Sequence, residues 1–160
     1  MEKTFIINLQ KLPKCFYDIM NLISLPFHLK FYTIITVVLY YQNLITSSQV
    51  FLLISSELIV GVIKYIVRRN RPFNKYKEIK NRDWTYIDYY SFPSGHTFNA
   101  FLLFYILEQN KIITNKLMFI PYLVAFSRLC LGVHYPTDVL AGGILAKIIY
   151  LASFNLNGQI

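Results

Sequence analysis

The stretch Ser48-Gln-Val-Phe-Leu-Leu-Ile-Ser-Ser-Glu-Leu-Ile-Val-Gly-Val-Ile-Lys-Tyr-Ile-Val67, running straight into Arg68-Arg-Asn-Arg71-Pro72, decides the fold. It is long and apolar, broken only by Glu57 and Lys64, and crossing a bilayer core takes about 20 such residues. Working outward, four more apolar runs follow the same logic: roughly Phe31 to Leu44, His96 to Ile113, Leu117 to Leu131, and Pro136 to Phe154. The shorter ones must borrow flanking residues to span. Continuous apolar runs, rather than alternating ones, predict helices and not a barrel. Before them, Leu9, Leu12, Phe16, Ile19, Met20 and Ile23 recur at helical spacing with Lys11, Lys14, Asp18 and Asn21 between, ending at Leu25-Pro26. That pattern predicts an amphipathic helix lying in the membrane interface. The expectation is an all-α integral membrane helical bundle. It has about five transmembrane helices plus the N-terminal interfacial helix, in one domain over residues 1–160.

Composition agrees. Hydrophobic residues make up 55% and charged ones 15%, high and low respectively for a soluble chain. Of the 16 Lys and Arg, half lie between Lys64 and Arg82. A basic block flanked by apolar helices reads as a solvated or membrane-surface loop, not as a nucleic-acid surface. Cys15 and Cys130 have no metal-like spacing, nothing calls for a disulfide between them, and Cys130 reads as a small buried hydrophobe. Lys3, Lys11 and Lys14 interrupt the N-terminal apolar residues, so no cleavable signal with a clean apolar core is visible.

Threading five spans puts the N-terminus, the loop from Arg68 to Ser94 and the turn from Gly132 to Tyr135 on one face. Three polar motifs gather there. In Lys64-x6-Arg71-Pro72 the two cations are two helical turns apart, so on a continuous helix both point the same way, about 10 Å apart. They can converge on one dianion, with Arg71 offering a bidentate fork, or snorkel to lipid headgroups as Arg68 and Arg69 are expected to do. In Pro93-Ser94-Gly95-His96, Ser94 reads as a helix N-cap and Gly95 leaves the first-turn amides open to an anion. An ordinary helix start reads the same way. His96 at its mouth is placed to donate a proton. In Ser127-Arg128-x5-His134-x3-Asp138, the spacing of four lets Asp138 fix the tautomer of His134 and leave the other ring nitrogen as a nucleophile. Asp138 would also favour its helix start by charge alone. Arg128 supplies a third cation.

Together the motifs resemble the signature of the type-2 phosphatidic acid phosphatase superfamily, over roughly residues 48–154 with every signature position filled. The resemblance implies a membrane lipid phosphatase acting on polyprenyl diphosphate, phosphatidate or phosphatidylglycerophosphate. It also implies roles. His134 would form a phosphohistidine, Asp138 would orient it, and His96 would protonate the leaving oxygen. Lys64, Arg71, Arg128, Ser94 and Gly95 would hold the phosphate oxygens. No cofactor and no metal is implied, and the sequence shows no carboxylate cluster for one.

Five spans rather than the usual six, and the small size, lean toward a polyprenyl diphosphate. Trp84, Tyr86, Tyr89 and Tyr90 suit an aromatic belt at headgroup level, or core packing. Glu108 and Lys147, at similar depth on neighbouring helices, are expected to pair. Glu57, two turns before Lys64, would either support Lys64 or be protonated and hydrogen-bonded. A non-catalytic lipid-phosphate-binding membrane protein is the alternative. A vanadate-dependent peroxidase using the same cradle is disfavoured by the apolar spans. The Lys and Arg count puts the catalytic face in the cytoplasm. The resemblance puts it on the external or lumenal side, which we adopt because several of those cations are claimed by the site.

Overall fold

The computed structural model describes residues 1–85 and 88–157, with side chains as far as Ser153. Tyr86 of the expected aromatic belt lies outside the described residues. Eight helices follow in order: α1 (Glu2–Leu9), α2 (Lys14–Ser24), α3 (Leu29–Tyr41), α4 (Ser47–Val67), α5 (Pro72–Lys75), α6 (Gly95–Gln109), α7 (Phe119–Cys130) and α8 (Pro136–Asn157).

Local chemistry sets their ends. Pro13 stands just ahead of α2 and cannot donate a helical hydrogen bond, so the expected single amphipathic helix from Leu9 to Ile23 is split into α1 and α2. Pro26 continues α2 as a 3₁₀ turn instead of stopping it, and the chain bends by 51° into α3. Thr46 and Gln49 form a capping box at the start of α4. At the other end Arg68 adopts a left-handed conformation (φ 49°) and its amide closes on the Lys64 carbonyl at 2.9 Å. The helix therefore stops at Val67, four residues earlier than the Lys64–Arg71 reading assumed. Arg71 is extended, and Pro72 opens the short α5.

α6 is the axis of the bundle, with Thr97 to Phe104 buried without a break. It packs against α8, α7 and α4 around Leu53, Val60, Phe98, Leu102, Val124 and Ala146. Where α8 crosses the start of α6, Gly142 is required: a Cβ there would stand 2.6 Å from the Ser94 carbonyl oxygen. The outer faces are apolar instead of charged. Phe51, Leu58, Val62 and Ile66 on α4, Tyr122 on α7, and Leu140, Ile144 and Ile148 on α8 are all exposed. Such a continuous apolar exterior suits lipid rather than water.

Among the described residues, α4 and α8 are each long and apolar enough to cross a membrane, and α2 with α3 makes a third if the bent pair is one span. α6 and α7, at 15 and 12 residues, fall short of that length on their own.

The motif-bearing ends of α4, α6, α7 and α8 share one end of the bundle, as the threading required. α1 and α2 fold over the connecting loop there. Gln10 exchanges hydrogen bonds with the backbone of Lys80 (2.7 and 2.9 Å). The Asn21 amide donates to the Arg82 carbonyl at 2.9 Å while its oxygen accepts from the Trp84 amide at 3.0 Å. Trp84 and Tyr89 are exposed at this end, whereas Tyr90 is half-buried. The expected Glu108–Lys147 pair is not formed among the described residues. The Lys147 ammonium lies instead over the rings of Tyr105 (4.6 Å) and Tyr150 (5.4 Å), which stack on each other beside it. Cys15 and Cys130 are free thiols, one exposed and one buried.

Candidate active site

Lys64, on the last turn of α4, and Arg71, in the extended segment after it, meet at one carboxylate. The Lys64 ammonium lies 3.1 Å from Asp88, and Arg71 Nη2 donates to Asp88 at 2.5 Å. Two long cations thus reach a common anion although the helix between them is interrupted. Burial works against the Asp88 carboxylate, but Lys64 and Arg71 outweigh it and hold its carboxyl below the usual aspartate range. Arg71 is almost fully buried, its remaining donors going to the backbone carbonyls of Asp88 (2.7 Å) and Val133 (2.9 Å).

The same guanidinium lies 3.3 Å from His134 Nε2. Arginine only donates, so Nε2 must be the acceptor and the ring proton sits on Nδ1. Nδ1 faces Asp138 Oδ2 at 3.5 Å, beyond a well-formed hydrogen bond but in position to tighten. Burial first, and then the charges of Arg71, Lys64 and Arg128, push the His134 imidazole well below its ordinary range and keep it neutral. A neutral imidazole with an unprotonated Nε2 is a competent nucleophile once a phosphate draws Arg71 off that nitrogen. Asp138 is fully buried and pinned from two sides, by the Tyr135 amide at 2.9 Å and by Arg69 Nη1 at 2.6 Å.

Ser94 caps α6, its hydroxyl accepting from Thr97 N, and its own amide donates to the Asp138 carbonyl at 3.0 Å. The start of α6 is thereby tied to α8. Ser94 itself is buried behind the cavity wall, so its amide and hydroxyl are engaged by protein. The first-turn amides of Gly95 and His96 have no helical acceptor. A Cβ on Gly95 would find only Val60, 3.9 Å away, so the glycine keeps this edge low. Arg128, fully buried, is ion-paired to the equally buried Asp83 and donates to Ser24 Oγ at 3.0 Å.

Lys64, Arg71, Gly95, His96, Arg128 and His134 all line one cavity of about 320 Å³, which Asp88 also borders. Ser94 and Asp138 stand behind it. Three cations, unsatisfied helix amides and a neutral imidazole around one space can grip a tetrahedral dianion and attack its centre.

The family model described as the PAP2 superfamily matches residues 46–159. The chain belongs to the PAP2 superfamily. The chain is 37% identical over 81 residues to decaprenylphosphoryl-5-phosphoribose phosphatase of Mycolicibacterium smegmatis, covering 51% of this chain and 43% of that protein. It is 32% identical over 97 residues to an undecaprenyl-diphosphatase of Sulfolobus acidocaldarius, covering 59% and 47%. It thus spans less than half the length of either relative. A solved structure of a transmembrane PAP2-type phosphatidylglycerolphosphate phosphatase from Bacillus subtilis superposes with TM-score 0.82 at 20% identity, covering 99% of this chain and 85% of that one. Aquifex aeolicus LpxE superposes with TM-score 0.74 at 19% identity, covering 94% and 92%. At such identities these two show the PAP2 fold and nothing finer.

Three residues of the site escaped the sequence reading. Arg69, expected to snorkel, is turned inward. It binds Asp138, Thr137 and Glu2 and lies 3.9 Å above the Tyr135 ring. Arg68, by contrast, lies at the surface over Tyr65. Asp83 and Asp88 are the counter-charges of Arg128, Lys64 and Arg71, placed by a loop whose course depends on α1 and α2. The only local signal was that a loop with so many cations needs anions near the buried ones.

Proposed function

We propose that this PAP2 chain is a lipid phosphatase, hydrolysing a lipid phosphomonoester or diphosphate through a phosphohistidine on His134. The observation that carries the reading is His134, whose Nε2 meets Arg71 at 3.3 Å in a cavity also lined by Lys64 and Arg128. In the first step a bond forms from Nε2 to phosphorus, the phosphorus–oxygen bond to the lipid breaks, and the leaving oxygen takes a proton from His96. In the second, water gives its proton to His96 and attacks phosphorus, releasing phosphate and restoring His134. Lys64, Arg71, Arg128 and the Gly95 amide stabilise the charge on the non-bridging oxygens in both steps. Asp138 keeps the Nδ1–H tautomer and stabilises the positive charge that develops on the imidazole as Nε2 is phosphorylated. The names of the relatives, phosphatases and diphosphatases of lipid phosphates, support the same class.

We further propose five spans, α3, α4, α6, α7 and α8, with α1 and α2 at the interface. α6 is shielded by its neighbours, and α7 turns Phe119, Tyr122, Leu123 and Phe126 outward where it needs lipid contact. The catalytic end lies on the external or lumenal face. Lys64, Arg69, Arg71 and Arg128 all have carboxylate partners, so they weigh less in the positive-inside count than free cations.

The test is phosphate release from polyprenyl diphosphate, phosphatidate and phosphatidylglycerophosphate by detergent-solubilised protein in EDTA, beside His134→Ala. Release that persists in EDTA and is lost in the variant is expected. Release that His134→Ala leaves intact would overturn the mechanism. Binding of the lipids without release would favour a lipid-phosphate-binding protein.

A further inference from the structure

Beyond the phosphate cradle the same cavity continues along α4 and α6, and there it is polar in an unusual way. His28 Nδ1, Glu57 Oε1, His96 Nε2 and Asn99 Oδ1 are buried and find no hydrogen-bond partner among the described residues, and all four residues line this cavity. Asn99 is only 2% exposed, and its amide nitrogen donates to the Phe27 carbonyl at 3.2 Å, which leaves Oδ1 as the end free to accept. Glu57 lies beside the Asn99 amide, and the His28 ring centroid is 5.7 Å from that of His96. Buried polar groups without partners are costly, and a native site that keeps several together is built for a ligand that satisfies them.

The order of the residues along the helices says which part of a substrate reaches them. His96 begins α6 and Asn99 follows one turn later. Lys64 ends α4 and Glu57 precedes it by two turns. With the phosphate at Lys64 and Arg71 and the leaving oxygen at His96, the next atoms of the leaving group come between Glu57 and Asn99. Both present oxygen acceptors. A diphosphate would bring further acceptor oxygens to a place where Asn99 Oδ1 can only accept, with Lys30 as the added cation in the lining. An isoprenoid or acyl chain would leave both acceptors bare. Hydroxyl groups would satisfy them.

We propose that Glu57 and Asn99 form a subsite for hydroxyl groups on the linker between the scissile phosphate and the lipid. The substrate class is then a lipid phosphomonoester carried on a polyol or sugar. This rests on the phosphatase reading above and narrows it, against the lean toward polyprenyl diphosphate that size and span number suggested. Lys30 and His28 face the same space and contribute donors to the linker oxygens.

The experiment compares kcat/KM for phosphatidylglycerophosphate, whose glycerol linker keeps a free hydroxyl, with phosphatidate, which has none, and farnesyl diphosphate. Wild type, Asn99→Leu, Glu57→Gln and Glu57→Leu are run side by side in detergent. A lost hydrogen bond of this kind changes affinity by about 10-fold or more. The expected result is a wild-type preference of that order for the hydroxyl-bearing lipid. Asn99→Leu and Glu57→Leu abolish the preference, while Glu57→Gln, which keeps an acceptor, retains it. Selectivity within one protein sample is insensitive to how much of that sample is folded. Equal loss on all three lipids, or a wild-type preference for farnesyl diphosphate, would overturn the subsite while leaving the phosphatase standing. No release from any lipid by folded wild type would overturn both.

Discussion

Asp88 occupies the ground that a phosphate would need. Its carboxylate is held by Lys64 at 3.1 Å and by Arg71 at 2.5 Å, the two cations we propose grip substrate oxygens. An incoming dianion must displace it, so replacing Asp88 by Asn should tighten phosphate binding. The side chain is 54% exposed, so each contact is screened and belongs with surface ion pairs, at about 0.2–1 kcal/mol. Two such contacts give about 0.4–2 kcal/mol, which is about a 2- to 30-fold lower inhibition constant for orthophosphate. Inhibition of lipid dephosphorylation by orthophosphate, in wild type and Asp88→Asn at matched ionic strength, measures this directly. The gain should shrink as salt is raised. Because Lys64 and Arg71 hold the Asp88 carboxyl below its usual range, the competition should persist to the acid end of any practical assay. An unchanged or higher inhibition constant would refute the reasoning and mean that Asp88 holds the two cations in place for the substrate.

Four further outcomes follow from contacts described above. Arg128→Ala strands the buried Asp83 charge and should cost about 3–5 kcal/mol by denaturant titration in detergent. Adding Asp83→Leu should recover part of that loss, and a fully additive double mutant would deny the pairing. Gly142→Ala drives a Cβ into the Ser94 carbonyl and should destabilise by about 1–3 kcal/mol, whereas Gly61→Ala, with nothing within 4 Å of the new carbon, should not lower the melting temperature. Arg69→Gln removes a partner of Asp138, and should lower kcat about 10-fold or more with little change in KM; a pure KM effect would place Arg69 on the substrate instead. For His134 the folded-state affinity for a proton is depressed, so between that value and the unfolded value near 6.5 the unfolded chain binds more protons. This residue's contribution to stability is therefore present above about pH 6.5 and declines as pH falls below it. His134→Asn should flatten that part of the stability–pH curve; an unaltered slope would argue against a buried neutral imidazole.

What the sequence made legible was whatever depends on a residue's own type and its place at a helix end. Lys64, Gly95, His96, Arg128 and His134 could be assigned to one space because each closes or opens an apolar run on the same side. Helix positions followed for the same reason: Ser94 and Pro136 are local start signals. What depends on distant partners was hidden. The left-handed turn at Arg68 frees Arg71 from the α4 axis and swings Arg69 inward, and no spacing rule announces it. Asp83 and Asp88 meet their cations from a loop that Gln10 and Asn21 bind at Lys80 and Arg82, across sequence gaps that local pattern does not bridge. Lys147 looked like a partner for Glu108 by depth alone, and the stacked Tyr105 and Tyr150 rings took it instead. Glu57 remained undecided in the sequence because its meaning lies in Asn99, on another helix.

The contact between Glu2 and Thr137 joins residues 135 apart in the chain, with Arg69 shared between Glu2 and Asp138. The segment that leaves the ribosome before the apolar helices is therefore fastened to the turn that emerges after most of them. As the chain is made, α4 and α6 are complete, with Lys64 and His96 at their ends, before His134 exists. His134 and Asp138 are made only as α8 begins, and α1 can then fasten onto that turn through Glu2. On the proposed mechanism, a chain halted short of α8 would hold the cations of the cavity without a group to attack phosphorus.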